Sequence, residues 1–333
     1  MVGLSLANQI KDKFEDLSIL IIDKENSIGV HTSGRNSGVL HAGIYYEPDS
    51  LKAKVCVNGA KRLKEFCQNE SLPLLKCGKV IVPQREDLDN QLDFLLERSR
   101  LNGVEARIID EKEFHNICPD GMTTSGRALW SPNTCVVKPK LVLQRIYEKL
   151  RDKGVKFLFD LKINRANTAE RNIHFYREKE NIHIEYAHLF NCCGLQSDRT
   201  AKMFDVGNEF MLLPFKGIYW KLKSNSPFDF KTNLYPIPDL KMPFLGVHIT
   251  PSPDGSISLG PTAFPALGRE NYHSFDNIEP LMSLNFFNEI AIQLINDKNG
   301  FRKYALEQSL QWIKPIFLKA AQQLVPKLKS EHL

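Results

Sequence analysis

The sequence predicts an α/β fold: a helix–strand layer interleaved with a second domain built on an antiparallel sheet. Three observations predict it. Val2 to Lys13 carries Leu4, Leu6, Ala7 and Ile10 at helical spacing, and the apolar run Leu17 to Asp23 follows and ends in an acid. An unbroken run of this kind is how a strand covered on both faces of a parallel sheet reads. Ile173 to Arg177 and Ile182 to Tyr186 alternate apolar and polar residues around a charged turn, the pattern of a β-hairpin. Leu212 to Gly260 reads mainly as strands with proline-marked turns, and helices follow it.

The remaining elements fall between these. His31 to Tyr46 is too rich in Gly, Ser and Asn for a regular helix or a simple strand. Leu51 to Asn69 is helical, with Leu51, Val55, Leu63 and Phe66 on roughly one face. Gly78 to Pro83 is a short strand, and Leu88 to Leu101 a helix that Gly103 can close. Asp110 and Glu113 have the spacing of a capping box. Lys140 to Lys153 is a helix with Leu141, Ile146 and Leu150 inward and Gly154 as its stop; Val155 to Phe159 is then a strand. His188 to Cys193 reads as an apolar strand running into Gly194, after which Ser197 and Asp198 can cap a helix. Phe286 to Ile295 and Leu306 to Leu324 are helical, and no internal repeat is visible.

Composition excludes several classes of function. With 333 residues, 42% apolar and 25% charged, the chain has the make-up of a folded globular protein of two packed domains or one large one. The net charge of +5 is spread out, with no basic block or basic–aromatic platform, which argues against nucleic acid as a partner. The seven cysteines form no C-x-x-C pair and are odd in number, against a disulfide framework or a zinc site. Reduced thiols in a cytosolic compartment fit best, and the Cys192–Cys193 pair reads as buried structure. No apolar run approaches the length of a membrane span, and no signal peptide is visible.

Two stretches carry chemistry. Gly3 and Asp23 stand twenty residues apart across a helix and an apolar strand. In a dinucleotide fold the last glycine of G-x-G-x-x-G lets the helix pack close, and an acid at this distance binds ribose hydroxyls. An ordinary helix–strand pair explains the same residues. The second stretch is His31-Thr-Ser-Gly-Arg-Asn-Ser-Gly-Val-Leu-His-Ala-Gly-Ile-Tyr-Tyr46. Its glycines allow close backbone approach to a flat ring, and Asn36 and Ser37 offer hydrogen bonds; a ligand-free surface loop is the alternative. This second stretch closely resembles the flavin-contacting loop of the L-2-hydroxyglutarate dehydrogenases (oxidases), within the D-amino-acid-oxidase-like FAD superfamily. The resemblance continues in order through Ser50–Lys54, Cys77–Val80, Cys193–Arg199, Pro214–Gly217, Tyr235–Thr250, Leu259–Pro261 and Arg269–Tyr272.

The resemblance implies FAD as cofactor and a Rossmann-like cofactor domain whose first strand, expected before Gly3, is missing. It implies a cofactor domain over 1–75 and 135–210, a substrate domain over 76–134 and 211–305, and C-terminal helices over 306–333. The implied cofactor residues are Gly3, Asp23, Arg35, Asn36, Ser37, Gly38, Ile163 and Gly194. The implied reaction is oxidation of L-2-hydroxyglutarate to 2-oxoglutarate, which needs a base at the substrate hydroxyl. Histidine suits that role, and His248 and His41 lie in matched segments. His248 is taken as the base with His41 against the flavin, and the reverse assignment stays open. A dicarboxylate calls for cations and hydroxyls, which makes Tyr46, Lys54, Lys79, Tyr235 and Arg269 the substrate candidates. For each lysine a solvated surface position is the competing reading, and for the tyrosines a core position. The family passes electrons to oxygen or to membrane quinone, so the expected location is cytoplasmic, with peripheral association at the inner face of the membrane as one form.

The sequence departs from the family pattern in three ways. The glycine loop is represented by Gly3 alone. The Arg-containing and Gly/Ala/Ser/Pro-rich segments that close over the flavin in the family are not found. Arg35 and Thr262 stand where the family usually has histidine and asparagine. These departures predict a fragment of the family pattern, so a non-catalytic form unable to hold FAD is one alternative. A relative oxidising an amine or glycerol-3-phosphate is another.

Overall fold

The computed structural model describes residues 1–177, 180–238, 246–273, 275–297 and 300–333. The chain divides into two compact units. The first comprises Met1–Asn36, Pro139–Pro214 and Leu267–Pro280; the second comprises Ser37–Lys138, Phe215–Ala266 and Leu281–Leu333. This division assigns 37–75 and the C-terminal helices to the sheet-bearing unit, because the short strands Val39–Leu40 and Leu74–Leu75 both pair with Cys135–Val137.

In the first unit the helix Val2–Lys13 forms as its periodicity requires, burying Leu4 and Ala7. The strand after it is only Leu20–Ile22, paired in parallel with Lys156–Leu158. It is not covered on both faces: Leu20 is exposed. The helix Pro139–Asp152 starts on a proline, whose fixed φ suits a first turn. It buries Val142, Leu143, Ile146 and Leu150, while Leu141 faces outward. The expected hairpin is present as Asn172–Arg177 and Glu180–Glu185, with Ile163–Asn167 added on the other side; the turn residues 178 and 179 lie outside the described residues. The expected strand over His188–Cys193 does not form. Leu189, Phe190, Cys192 and Cys193 are exposed, and among the described residues no strand lies alongside to pair with them. The two cysteines are therefore not buried structure. The helix Ser197–Lys202 has no side-chain cap from Ser197 or Asp198; the Asp198 carboxylate instead accepts from the Leu212 amide at 3.1 Å.

The second unit is built on a seven-stranded sheet. Its strands are β1 (Lys79–Val82), β2 (Arg107–Asp110), β3 (Arg127–Ser131), β4 (Trp220–Lys221), β5 (Asn233–Pro236), β6 (His248–Pro251) and β7 (Ile257–Gly260). Their spatial order is β4-β7-β6-β5-β1-β3-β2, antiparallel throughout except for the parallel pair β1 and β5. Side chains alternate between the two faces. Val80, Val82, Leu234, Ile249 and Leu259 enter a core with Phe317, Ala321, Leu324 and Val325. Ile81, Leu129, Tyr235 and Ile237 enter the opposite one, with Ile44, Leu92 and Leu95.

The helices of this unit follow local chemistry. Ser50 caps the helix Leu51–Asn69, its Oγ accepting from the Ala53 amide at 3.1 Å. The buried face is Ala53 and Cys67, so Leu51 and Val55 are exposed rather than inward. Asp110 caps Glu111–Ile117 by accepting from the Glu113 amide at 2.8 Å. The long helix expected over 306–324 is two, Phe301–Leu310 and Lys314–Gln322, because Pro315 begins a new first turn. The helix Pro280–Asn296 is longer than its sequence signal.

Candidate active site

Alternation and register place the chemistry of the second unit. Lys79 and Ile81 share a face of β1, and Ile81 pairs with Tyr235 on β5. Leu234 pairs with Ile249, so Tyr235 stands beside His248 on that same face. The side chains meet accordingly. The rings of Tyr235 and His248 stack with centroids 3.8 Å apart and 17° between planes. The Lys79 Nζ lies 4.2 Å from the Tyr235 ring centroid and 5.1 Å from that of Tyr45. It also lies 3.4 Å from His41 Nδ1. The loop carrying His41 and Tyr45 is bent at Gly43, whose φ of 101° disfavours a side chain.

This cluster is buried and carries no acid. Lys79 is 1% exposed, and among the described residues it makes no ion pair. Burial depresses its pKa to about 7, with the thiols of Cys56 and Cys77 opposing. Burial likewise pushes His248 down to about 3, the Gly246 carbonyl opposing and Lys79 adding to it. His41 is held well below its ordinary value by burial, then by Lys79 and His248. The tyrosines move the other way: burial raises both Tyr45 and Tyr235.

Hydrogen bonding distinguishes the two histidines. His248 Nδ1 lies 2.9 Å from the Gly246 carbonyl oxygen. A carbonyl only accepts, so Nδ1 carries the proton and Nε2 keeps a lone pair. A charged Lys79 only donates, so His41 then accepts at Nδ1 and carries its proton on Nε2. The first arrangement is a base and the second a donor. Stacking on Tyr235 fixes the plane of the His248 ring.

The first unit holds the residues suited to a dinucleotide. Asp23 directly follows the strand Leu20–Ile22, and its amide donates to the Leu158 carbonyl at 3.0 Å, so the carboxylate sits at the carboxyl end of a parallel strand. The Met1 amino group donates to Ser33 Oγ at 3.1 Å; burial lowers its pKa, while Asp23 and the Cys192 thiol lie near enough to oppose. The start of the helix Val2–Lys13, Asp23 and Cys192 therefore converge. A β-carbon on Gly3 would come within 3.3 Å of the Cys192 Cβ, whereas one on Gly194 would meet open space. A helix N-terminus beside a strand-end carboxylate fits the phosphates and ribose of FAD.

Other predicted residues are engaged elsewhere. Arg35 donates to the Val30 carbonyl at 2.7 Å and lies 4.1 Å over the Tyr272 ring. Asn36 donates to the carbonyls of Thr32 and Ser33, both at 3.0 Å. Ser37 is hydrogen-bonded to Tyr219, Gly38 has a φ of 75°, and Ile163 opens the outer strand Ile163–Asn167. Arg269 is buried in an ion pair with Asp198 that holds the Asp198 carboxyl far below its usual range, so its charge serves the fold of the first unit. Lys54 is exposed near Asp49, and Tyr46 is half-buried beneath Lys52.

Sequence reasoning chose Tyr46 and missed Tyr45. Two adjacent tyrosines offer no pattern to separate them until the bend at Gly43 is known. It also missed Glu25, His31 and Glu270, whose ligand atoms lie within 4.8 Å of one another. The Lys24 ammonium bonds to both carboxylates and lies 3.1 Å from His31 Nε2, occupying the place a metal ion would take. Of the long motif Tyr235–Thr250, residues 239–245 lie outside the described residues.

Known proteins identify the family. Residues 1–329 match the family model described as FAD dependent oxidoreductase. The mitochondrial L-2-hydroxyglutarate dehydrogenase of Caenorhabditis briggsae is 36% identical over 99% of this chain and 76% of its own length. The L-2-hydroxyglutarate dehydrogenase of Indibacter alkaliphilus is 31% identical over 100% of this chain and 82% of its own. Among solved structures, the FAD-bound L-alpha-glycerophosphate oxidase of Mycoplasma pneumoniae superposes with a TM-score of 0.72 at 18% identity, covering 99% of this chain and 77% of that one. Glycine oxidase of Geobacillus kaustophilus gives 0.64 at 14% identity, over 87% and 73%. Those two likenesses show the fold; the match to the Indibacter alkaliphilus dehydrogenase covers the whole chain and so includes the strands that carry Lys79, Tyr235 and His248. The chain therefore belongs to the L-2-hydroxyglutarate dehydrogenase family of FAD-dependent oxidoreductases.

Proposed function

We propose that the protein oxidises L-2-hydroxyglutarate to 2-oxoglutarate. The observation that carries this reading is the buried His248, with an Nε2 lone pair that no described residue engages, in a chain related over nearly its full length to L-2-hydroxyglutarate dehydrogenases. Bound FAD supplies the hydride acceptor for the substrate C2–H. Gly3, Asp23 and the backbone at Cys193–Gly194 would hold its nucleotide end. His248 Nε2 removes the proton of the 2-hydroxyl as the carbonyl forms. Tyr235 keeps the imidazole in plane, and His41 donates from Nε2. Of the five substrate candidates, Lys79 and Tyr235 share the buried face with His248. Lys54, Tyr46 and Arg269 have the surface and structural surroundings given above, which favours non-substrate roles.

The electron acceptor of this reading is oxygen or a membrane quinone. No described helix is long and apolar enough to cross a membrane. The helix Pro280–Asn296 exposes Leu281, Leu284, Phe287, Ile292 and Ile295, an apolar face that favours contact with a lipid surface. Sedimentation with anionic vesicles would separate the two acceptors' settings.

The test of the main reading is the visible spectrum of the purified protein with FAD, followed by L-2-hydroxyglutarate without oxygen. Bleaching of a bound flavin band by this substrate, and not by glycine or glycerol-3-phosphate, is expected. A folded protein that retains no flavin would defeat the reading.

A further inference from the structure

We propose that Lys79 is the anchor for a carboxylate of the substrate, with the Tyr45 hydroxyl as a second donor, and that Lys79 takes up a proton as that carboxylate binds. The inference rests on the 2-hydroxy-acid reading above and deepens it by assigning the residue that selects anionic substrates.

The geometry argues as follows. Lys79 is fixed in the sheet on both sides, opposite Ser131 on β3 and Asn233 on β5, so its side chain is committed to the buried face. Its ammonium meets one imidazole nitrogen and two aromatic rings, with the thiols of Cys56 and Cys77 near enough to act on it electrostatically, and among the described residues no carboxylate. A buried ammonium without a counter-charge is costly, and folds ordinarily place an acid beside it. The Tyr45 hydroxyl is also buried and, among the described residues, has no hydrogen-bond partner. An ammonium whose acceptor is a neutral imidazole nitrogen, and a hydroxyl with no partner among the described residues, beside a histidine base, lack one thing: an anion with two oxygens. The Tyr235 ring touches both Lys79 and His248. It therefore spans from the cation to the base, as a molecule with a carboxylate next to a hydroxyl requires.

The proton uptake follows from which groups can titrate. The groups facing Lys79 are His41, Cys56 and Tyr45 from the loop and helix before β1, Cys77 beside β1, Tyr235 on β5 and His248 on β6. Both imidazoles are lowered and the thiols and phenols are raised. All of them are neutral near pH 7, and Lys79 alone changes charge there. In the empty site at pH 8 it is mostly neutral. A bound carboxylate favours its charged form, so a proton enters from solvent.

The test is calorimetric titration of the FAD-loaded protein with 2-oxoglutarate, in two buffers of different ionisation enthalpy, at pH 6 and pH 8. Uptake close to one proton per site is expected at pH 8 and little at pH 6, with affinity falling about tenfold per pH unit above 7. Lys79→Arg, which cannot lose its charge, should bind with no uptake and a flat pH profile. Lys79→Met should lose binding. Equal enthalpies in both buffers for the wild type at pH 8 would overturn the proposal, and that measurement needs no variant. So would undiminished binding by Lys79→Met. If L-2-hydroxyglutarate bleaches the flavin while the uptake is absent, the proposal fails and the functional reading stands. If uptake is present and the flavin is not bleached, the anion site stands and the functional reading fails.

Discussion

Replacing Lys79 by methionine should make the protein more stable, by an amount that depends on pH. The ordinary lysine pKa of 10.5 falls to about 7 in the folded state because the side chain is buried. At about 1.4 kcal/mol per pH unit, this depression corresponds to about 5 kcal/mol of destabilisation. The sign follows from the two states. Below about pH 7 the folded and unfolded chains both carry the charge and the cost is full. As pH rises toward 10.5 the folded chain is already neutral, the unfolded chain loses its own proton, and the cost fades. The buried thiols impose an opposite trend above pH 8, since burial raises Cys77 to about 11 and Cys118 to about 12. Comparison with Lys79→Met cancels that trend. Methionine has a similar length and no charge, so packing is kept. Denaturation followed by the fluorescence of Trp130, which pairs with Val80 in the same sheet, should show the variant more stable at pH 7. The gap should narrow by about 2 kcal/mol between pH 7, where the folded group is half-titrated, and pH 9. A gap that stays constant, or a variant no more stable than the wild type at pH 7, would refute the reasoning.

Other perturbations give separate readouts. His248→Gln should slow anaerobic flavin reduction by about 10²- to 10⁴-fold while FAD binding, followed by flavin fluorescence, is unchanged; a loss below tenfold would remove His248 from the role of base. Because burial lowers His248 to about 3, kcat/KM should show no loss between pH 7 and pH 5.5 from protonation of this base, and should decline above pH 7 as Lys79 discharges; a limb centred near 6.5 would contradict the burial of the base. Asp23→Asn should weaken FAD binding about tenfold, near 1.4 kcal/mol, and leave the reduction rate at saturating FAD intact; an unchanged Kd would move the ribose contact elsewhere. Arg269→Met leaves the Asp198 carboxylate uncompensated and should destabilise the first unit by about 3–5 kcal/mol. A double variant that also carries Asp198→Asn should recover most of this, and no recovery would count against a paired charge.

The helices Val2–Lys13 and Leu51–Asn69 were legible to the residue, because apolar spacing is a local signal. Which face of Leu51–Asn69 is buried was not, since Leu51 and Val55 look inward by type and are exposed by the packing around Ala53 and Cys67. The strand pattern at His188–Cys193 misled for a related reason: apolar residues specify a strand only where a neighbour exists to pair with. His248, Lys79 and Tyr235 were individually visible as motif residues. Their convergence was not, because it depends on the parallel register of β1 and β5, which brings together positions far apart in the chain. The role of Arg269 could not be read without its partner Asp198, and the choice between the histidines turned on one backbone carbonyl, that of Gly246.

The parallel pairing of β1 with β5 also sets an order of assembly. Antiparallel neighbours can close through a short turn, but parallel ones need a long connection, and here the chain leaves after Lys138 and returns at Phe215. Lys79 is synthesised early, beside β2 and β3, yet the other edge of β1 stays unpaired until Asn233–Pro236 emerges. Until then the nascent sheet offers an open hydrogen-bonding edge of the kind that recruits wrong strands, and late non-local pairing of this sort slows folding. The His–Lys–Tyr face is thus among the last parts of the second unit to exist. A mild defect in β5 or β6 would be felt first as a loss of recoverable protein during synthesis, and only afterwards as a change in the rate of the molecules that finish folding.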